Sequence, residues 1–310
     1  MSYDTDRCIE WKKRQMPLIK KEKSESRLIA QLFTSQAITK IADGDLSFLI
    51  KIINDFLMPK HYPVNVAKAF ELAFENLSHN YKNEYFYKNI LAKKMLLEKY
   101  LRKDVTMLSE FRVGENKADC VIINGISTCY EIKTRFDSLK RLPDQLHAFS
   151  KIFDKTYVVC DKSHKENVFA CIPDHVGMIE FTERGSLKEI KKAGENPYPL
   201  DREILISSLR KNEYQYIAEN IIKKPLNSSN INIFNDCLEI FKNSDSEKLN
   251  YLFKKSMKKY RKIDSDFIEI LPTCLLNSAV SYKFTKSRKE GLLSILEKNI
   301  YKEKICISHS

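Results

Sequence analysis

Three charged side chains stand in or at the end of two runs that otherwise read as β-strands, and they constrain the fold more than any other feature of the chain. The runs Ala118–Ile123 and Thr128–Ile132 are short, apolar and rich in Val, Ile, Tyr and Cys, and they meet at Asn124-Gly125, a strong turn signal. Asp119 lies in the first run, Glu131 in the second, and Lys133 directly after it. Burying an unpaired carboxylate there would be costly, so these residues need partners, and a divalent cation is a natural one for two carboxylates. Side chains alternate along a strand, so Glu131 and Lys133 share a face. Asp119 joins them only if position 119 lies opposite 131. That register sets 123 opposite 127 and requires a three-residue loop, Asn124-Gly125-Ile126, with Gly in the left-handed conformation. A two-residue Asn-Gly turn would pair 119 with 130 and send Glu131 to the other face.

The surrounding pattern predicts an α/β unit. A helix is expected from Asn83 to Leu101, then a strand over Leu108–Val113 ahead of the two runs. After them, Leu139, Leu142, Leu146, Phe149 and Phe153 recur at helical spacing, so they form one apolar face. Asp137 is the expected N-cap of that helix, and Pro143 marks either its first turn or a break. Further strands are expected at Tyr157–Cys160, Val168–Ile172 and Gly177–Phe181. This middle zone, about 81–185, sits between two helical ones, 1–80 and 186–310, with no internal repeat. The first opens with a basic arm, Lys12-Lys13-Arg14 through Lys23, has helical spacing over Leu28–Phe33 and Leu46–Phe56, breaks at Pro59 and Pro63, and resumes as a helix over Asn65–Leu77. The last carries linker signals at Pro197 with Pro199 and at residues 225–230, and a basic helical stretch at 254–262.

The formal net charge of +12 favours polyanionic partners, although a single Lys run is by default a solvated helix face. None of the 8 cysteines forms a CxxC, and no Cys/His cluster has zinc spacing. Cys120, Cys129, Cys160 and Cys171 fall in apolar runs as small core residues, which fits a reducing cytoplasmic setting. The N-terminus has no apolar signal core, and no run approaches the roughly 20 residues needed to span a bilayer. No P-loop, dinucleotide fingerprint or nucleophile elbow is present.

Two carboxylates and a backbone carbonyl such as that of Ile132 can hold Mg²⁺ or Mn²⁺, which would polarise a phosphodiester and lower the pKa of a bound water. Lys133 beside that water would position it or stabilise charge on the phosphate. Ala118-Asp119 with Glu131-Ile132-Lys133 resembles the D…(D/E)xK signature of the PD-(D/E)XK nuclease superfamily, with Ala118 in place of the usual Pro. Asp137-Ser138-Leu139, Arg141-Leu142-Pro143 and Gln145 look like a bacterial subgroup of these nuclease-like proteins. The likeness covers about residues 81–185. It implies a restriction-endonuclease-like αβββαβ core with helical extensions at both ends. It also implies a Mg²⁺-dependent endonuclease acting on nucleic acid, DNA favoured over RNA, in anti-phage defence or a mobile element. In several branches of that superfamily a Gln on the next helix reaches the active site, and Gln145 is in that place. An upstream acid often completes such sites; Glu110 is preferred slightly over Glu84 as the nearer neighbour of Asp119. Arg141 and Gln145, four apart, share a helix face and could contact phosphate. His147 points elsewhere. Two alternatives are a catalytically silent nucleic-acid-binding or regulatory protein on the same fold, and an interaction scaffold whose helical zones do the work. Those zones could recruit a second copy or a protein partner.

Overall fold

The computed structural model describes residues 24–57, 63–98, 105–182 and 185–301. The basic arm before residue 24, Pro59, the end of the helix expected to reach Leu101, and Cys8 and Cys306 lie outside them. In chain order the described elements are α1 (24–30), α2 (Ser35–Ala42), α3 (Ser47–Ile52), β1 (Val64–Asn65), α4 (Val66–Asn80), α5 (Glu84–Ala92), β2 (Thr106–Val113), β3 (Asn116–Ile123), β4 (Ser127–Lys133), α6 (Leu142–Ser150), β5 (Lys155–Asp161), α7 (Lys165–Cys171), β6 (Gly177–Phe181), β7 (Leu187–Lys191), α8 (Arg202–Ser207), α9 (Lys211–Ile222), α10 (Ile233–Lys242), α11 (Ser246–Tyr260), α12 (Ser265–Ile270), α13 (Leu276–Ser281), α14 (Lys286–Leu296) and β8 (Asn299–Ile300). Among the described residues no helix is long and apolar enough to cross a membrane.

The chain divides into two compact units, residues 1–89 with 266–310, and residues 90–265. The three zones of the sequence are thus regrouped: the last helices return to the first, and those from 202 to 260 join the strands. In the first unit, β1 and β8 pair antiparallel, Val64 opposite Ile300. Asn65 starts α4 by accepting the Lys68 amide at 2.7 Å. Phe33 packs on Phe70, Phe74 and Tyr85, and the Tyr85 hydroxyl donates to the Cys274 carbonyl at 2.7 Å.

The second unit is built on a six-stranded mixed sheet in the order β2-β3-β4-β5-β6-β7. Strands β2, β3 and β4 form an antiparallel meander; β4, β5 and β6 run parallel, and β7 closes the edge antiparallel to β6. The parallel pairs need crossovers, which α6 and α7 supply. Register sets Glu131 beside Val158 and Lys133 beside Cys160, so Cys129, Glu131, Lys133, Val158 and Cys160 share one face. There Leu142 and Leu146 of α6 pack with Val158, Cys160 and Val168, while Phe149 joins Val121, Ile123 and Cys129. Leu205, Ile217, Cys237 and Phe253 from α8 to α11 belong to that second cluster. The later helices are therefore part of the sheet's core.

Three local expectations are corrected. The run Val168–Ile172 is helical through Cys171, because Asp161 accepts the Ser163 amide at 2.9 Å and starts a helical turn. Only Val168 of α7 is buried; Phe169 and Cys171 are exposed. Asp137 does not cap α6, whose N-cap is Arg141; its carboxylate instead accepts the Thr134 amide at 2.7 Å and hydroxyl at 2.6 Å. The zone expected to be helical from 186 onward opens instead with the edge strand β7, Leu-Lys-Glu-Ile-Lys, which had no apolar alternation to announce it.

Asp154, between α6 and β5, ties this core together. It accepts the Ser127 amide at 2.7 Å and hydroxyl at 3.0 Å at the start of β4, and Asn250 Nδ2 at 2.6 Å and Lys254 Nζ at 3.0 Å from α11. Burial alone would raise its pKa; the Ser127 amide, Asn250 and the Lys254 ammonium outweigh it and hold the carboxyl below its ordinary value. A depressed folded-state pKa stabilises above the unfolded value and ceases to do so as pH falls through the folded one. Asp154→Asn is expected to cost about 1–3 kcal/mol at neutral pH. In denaturant melts its deficit against the wild type should shrink as pH drops below about 4. A deficit that stays constant down to acid pH would show that the ionised carboxylate is not what joins β4 to α11.

Candidate active site

The β3–β4 hairpin turns as its charges require. Ile123 pairs with Ser127, leaving the loop Asn124-Gly125-Ile126, in which Gly125 has φ +103° and the Asn124 amide donates to the Ile126 carbonyl at 3.1 Å. Pairing continues to Cys120 opposite Tyr130, so the next step of the register faces Asp119 with Glu131. The ladder stops there. Asp119 Oδ2 accepts the Ile132 amide at 2.7 Å, so the carboxylate bridges to the neighbouring backbone at the point where the strands part.

Glu131 and Lys133 follow on β4. Both side chains are almost wholly buried, 2% and 7% exposed, and Lys133 Nζ lies 2.7 Å from Glu131 Oε1. The ammonium also donates to Gln145 Oε1 at 2.9 Å, across from α6. Gln145 itself is buried on the helix face that carries Leu142, Leu146 and Phe149. Burial pushes the Cys129 thiol well above its ordinary value, and the Glu131 and Asp119 carboxylates push it further. Both carboxylates thus act on one locale.

Glu110 on β2 completes the group. Its φ of +57° is left-handed, a strained conformation for a residue with a Cβ. The ladder pairs on either side, Ser109 with Cys120 and Phe111 with Ala118, leave Glu110 and Asp119 facing across the skipped step. Regular alternation would put Leu108 and Phe111 on opposite faces of β2, and Ala118 and Val121 on opposite faces of β3. All four lie in one apolar cluster. The kink at 110 and 119 is therefore a change of phase in both strands, and it sets the two acids together with carboxylate oxygens within 4.8 Å. Lys117 offsets their repulsion, its Nζ 2.8 Å from Glu110.

Within the second unit the structure thus brings Glu131, Lys133 and Gln145 into one hydrogen-bonded set and Asp119 with Glu110 into another, and Asp119 joins the two through the Ile132 amide. Glu84 opens α5 in the first unit, where it pairs with Lys88 at 2.5 Å. Arg141 is exposed at the start of α6 and holds Gln145 only through its backbone carbonyl, 3.1 Å from the Gln145 amide. His147 faces Tyr198, edge to ring at 5.4 Å. Sequence reasoning missed the turn made by Thr134 and Asp137, which sets the path of the chain just past Lys133. The spacing Thr-x-x-Asp was its signal. It also missed Lys117 as the partner of Glu110. The donors present, Asp119, Glu131, Glu110 and the Ile132 carbonyl, are all hard oxygens and suit a Mg²⁺-like ion rather than zinc.

Comparison with known proteins gives a family. The family described as Bacteriophage P4 protein cII matches residues 78–282. Protein cII of Enterobacteria phage P4 is 31% identical over 186 residues, 57% of this chain and 67% of that protein. A solved structure of a protein of unknown function from Silicibacter pomeroyi aligns with 41% of this chain and 85% of its own, at 13% identity and a TM-score of 0.26, a level at which two folds need not be alike.

Two outcomes test the geometry. Lys133→Met strands the buried Glu131 and is expected to cost about 3–5 kcal/mol in denaturant titrations, most of it recovered by adding Glu131→Gln. A double variant no better than the single one would mean that the two charges do not depend on each other. Glu110→Gly should leave stability unchanged or raise it by up to about 1 kcal/mol, because strain relief of roughly 1–2 kcal/mol exceeds the entropy cost of glycine. Ser109→Gly, one residue earlier on the extended strand, should lower it by about 1 kcal/mol. Equal losses would refute a strained Glu110.

Proposed function

We propose that this protein, which belongs to the bacteriophage P4 protein cII family, is a metal-dependent nuclease that hydrolyses phosphodiester bonds, with DNA favoured over RNA. The observation that carries this reading is the buried Lys133, held between Glu131 and Gln145 on the strand whose Ile132 amide is taken by Asp119. An ion pair kept for stability alone would be solvated or replaceable by apolar residues at no loss. A buried charge cluster at a strained strand is more characteristic of a functional site. The succession α5-β2-β3-β4-α6-β5 has the order of a restriction-endonuclease-like αβββαβ core, and this supports membership of the PD-(D/E)XK superfamily.

In this reading Asp119, Glu131 and the Ile132 carbonyl would hold Mg²⁺ or Mn²⁺, with Glu110 as the upstream acid. A divalent cation bound there supplies polarisation of the phosphodiester and a more acidic water. The chain's own groups do the rest. The Lys133 ammonium stabilises negative charge as it builds on the phosphate. Gln145 fixes the direction of that ammonium from a helix locked into the core. Arg141, exposed at the head of the same helix, would grip substrate phosphate. A relative encoded by a phage favours a mobile-element setting over host defence. One observation favours the second reading, a nucleic-acid-binding protein that does not cut: Lys133 already neutralises Glu131, one of the metal's ligands.

The protein is to be incubated with plasmid DNA, single-stranded DNA and RNA, in Mg²⁺, Mn²⁺ or EDTA, beside Asp119→Ala and the folded double variant Glu131→Gln/Lys133→Met. The expected result is cutting of DNA that needs the metal and falls at least about a hundredfold in both variants. Equal cutting by the variants, or none of any substrate by the wild type, would overturn the nuclease reading.

A further inference from the structure

Helix α11 carries a second feature that the reaction does not use. Its inner side buries Leu249, Leu252, Phe253 and Met257, which fixes the opposite side in solvent. Tyr251, Lys255, Lys258 and Lys259 fall along that outer side at helical spacing, with Tyr251 60% exposed. Two of these lysines, Lys255 and Lys259, are placed against aromatic rings. Lys255 Nζ is 5.9 Å from the Tyr251 ring centre, and Lys259 Nζ is 4.3 Å from Tyr216 on α9 and 5.2 Å from Tyr260. Tyr216 and Tyr260 meet edge to face at 5.7 Å. Among the lysines of α11, in the described residues, Lys254 alone pairs with a carboxylate, that of Asp154. Among the described residues no carboxylate lies within ion-pair distance of Lys255, Lys258 or Lys259; Glu247, one turn before Tyr251, is the acid on this side of the helix.

We propose that this stripe binds the backbone of nucleic acid, as a docking track separate from the Asp119–Lys133 site. The ligand class follows from charge and from the rings. The ammonium groups of Lys255, Lys258 and Lys259, gathered within about one helical turn, roughly 6 Å of rise, match adjacent phosphates of one strand, and binding there releases condensed counterions. The exposed Tyr251 ring offers a flat face on which an unpaired base stacks, so single strands are the preferred form. An anionic membrane is a poorer match, because this side of the helix presents no Leu, Ile, Phe or Trp to insert. The inference shares its ligand class with the nuclease reading but does not need the protein to cut.

Fluorescence anisotropy in EDTA, with short labelled single-stranded and duplex DNA over a range of salt, tests it. The triple variant Lys255→Gln, Lys258→Gln, Lys259→Gln is compared with a control that removes three exposed charges elsewhere, at Lys40, Lys286 and Lys298. The α11 variant should lose at least about tenfold in affinity, and its log–log salt slope should fall by roughly 2 to 3, near 0.7 to 0.9 per lost phosphate contact. The control should lose little, and Tyr251→Ala should weaken single strands more than duplex. Equal losses in the two triple variants, no binding by the wild type, or tighter binding to anionic vesicles than to DNA would overturn the proposal. Cutting in Mg²⁺ is scored separately. Cutting with binding unchanged in the α11 variant removes the track and leaves the nuclease. Binding through the track without cutting does the reverse.

Discussion

Lys133 cannot leave its ammonium in the apolar face it shares with Cys129, Val158 and Cys160 unless acceptors meet it there. The two it has come from different elements, Glu131 two residues back on β4 and Gln145 on α6. Much of the second unit follows from supplying them. The helix must lie across β4 with its Gln145 face inward, so Leu142, Leu146 and Phe149 are buried by the same placement. The β3–β4 hairpin must turn in three residues, because a two-residue turn would carry Glu131 to the other side of the sheet. Asp154 then anchors the start of β4 to α11, which keeps the strand from sliding beneath the helix.

A charged pair in such a place is not a good way to gain stability. Desolvation offsets most of the attraction, and apolar residues of similar size would do as well. The strained Glu110 has the same character. Its left-handed backbone changes the phase of β2 while β3 changes phase opposite it, and the result is two carboxylates brought close where the strands part. Cost concentrated in a few residues, inside an otherwise conventional core, is the pattern expected where chemistry constrains the sequence.

Much of this was legible in the sequence, for a physical reason: strand alternation and turn geometry are local. The loop at 124–126 and the strands through Glu131 and Lys133 follow from spacing along short segments, whereas Gln145 beside the lysine was implied by the superfamily resemblance. What could not be read was decided by tertiary partners or by weak signals. The apolar run at 168–172 is as good a strand as a helix until Asp161 caps a helical turn ahead of it. Strand β7 is made of charges because it is an edge, and an edge is guarded by charge rather than marked by alternation. The pairing of Val64 with Ile300 joins residues more than two hundred positions apart, and nothing in either short segment specifies the other. The phase change at Glu110 was equally hidden, since left-handed glutamate has no sequence signature.

The proposed function rests on Asp119 and Glu131 holding one hard divalent ion beside Lys133. Manganese binding followed by electron paramagnetic resonance measures this directly and does not require a substrate. The account predicts one Mn²⁺ per chain, lost in Asp119→Ala while the fold is retained. Undiminished binding in that variant, or none in the wild type, would contradict it.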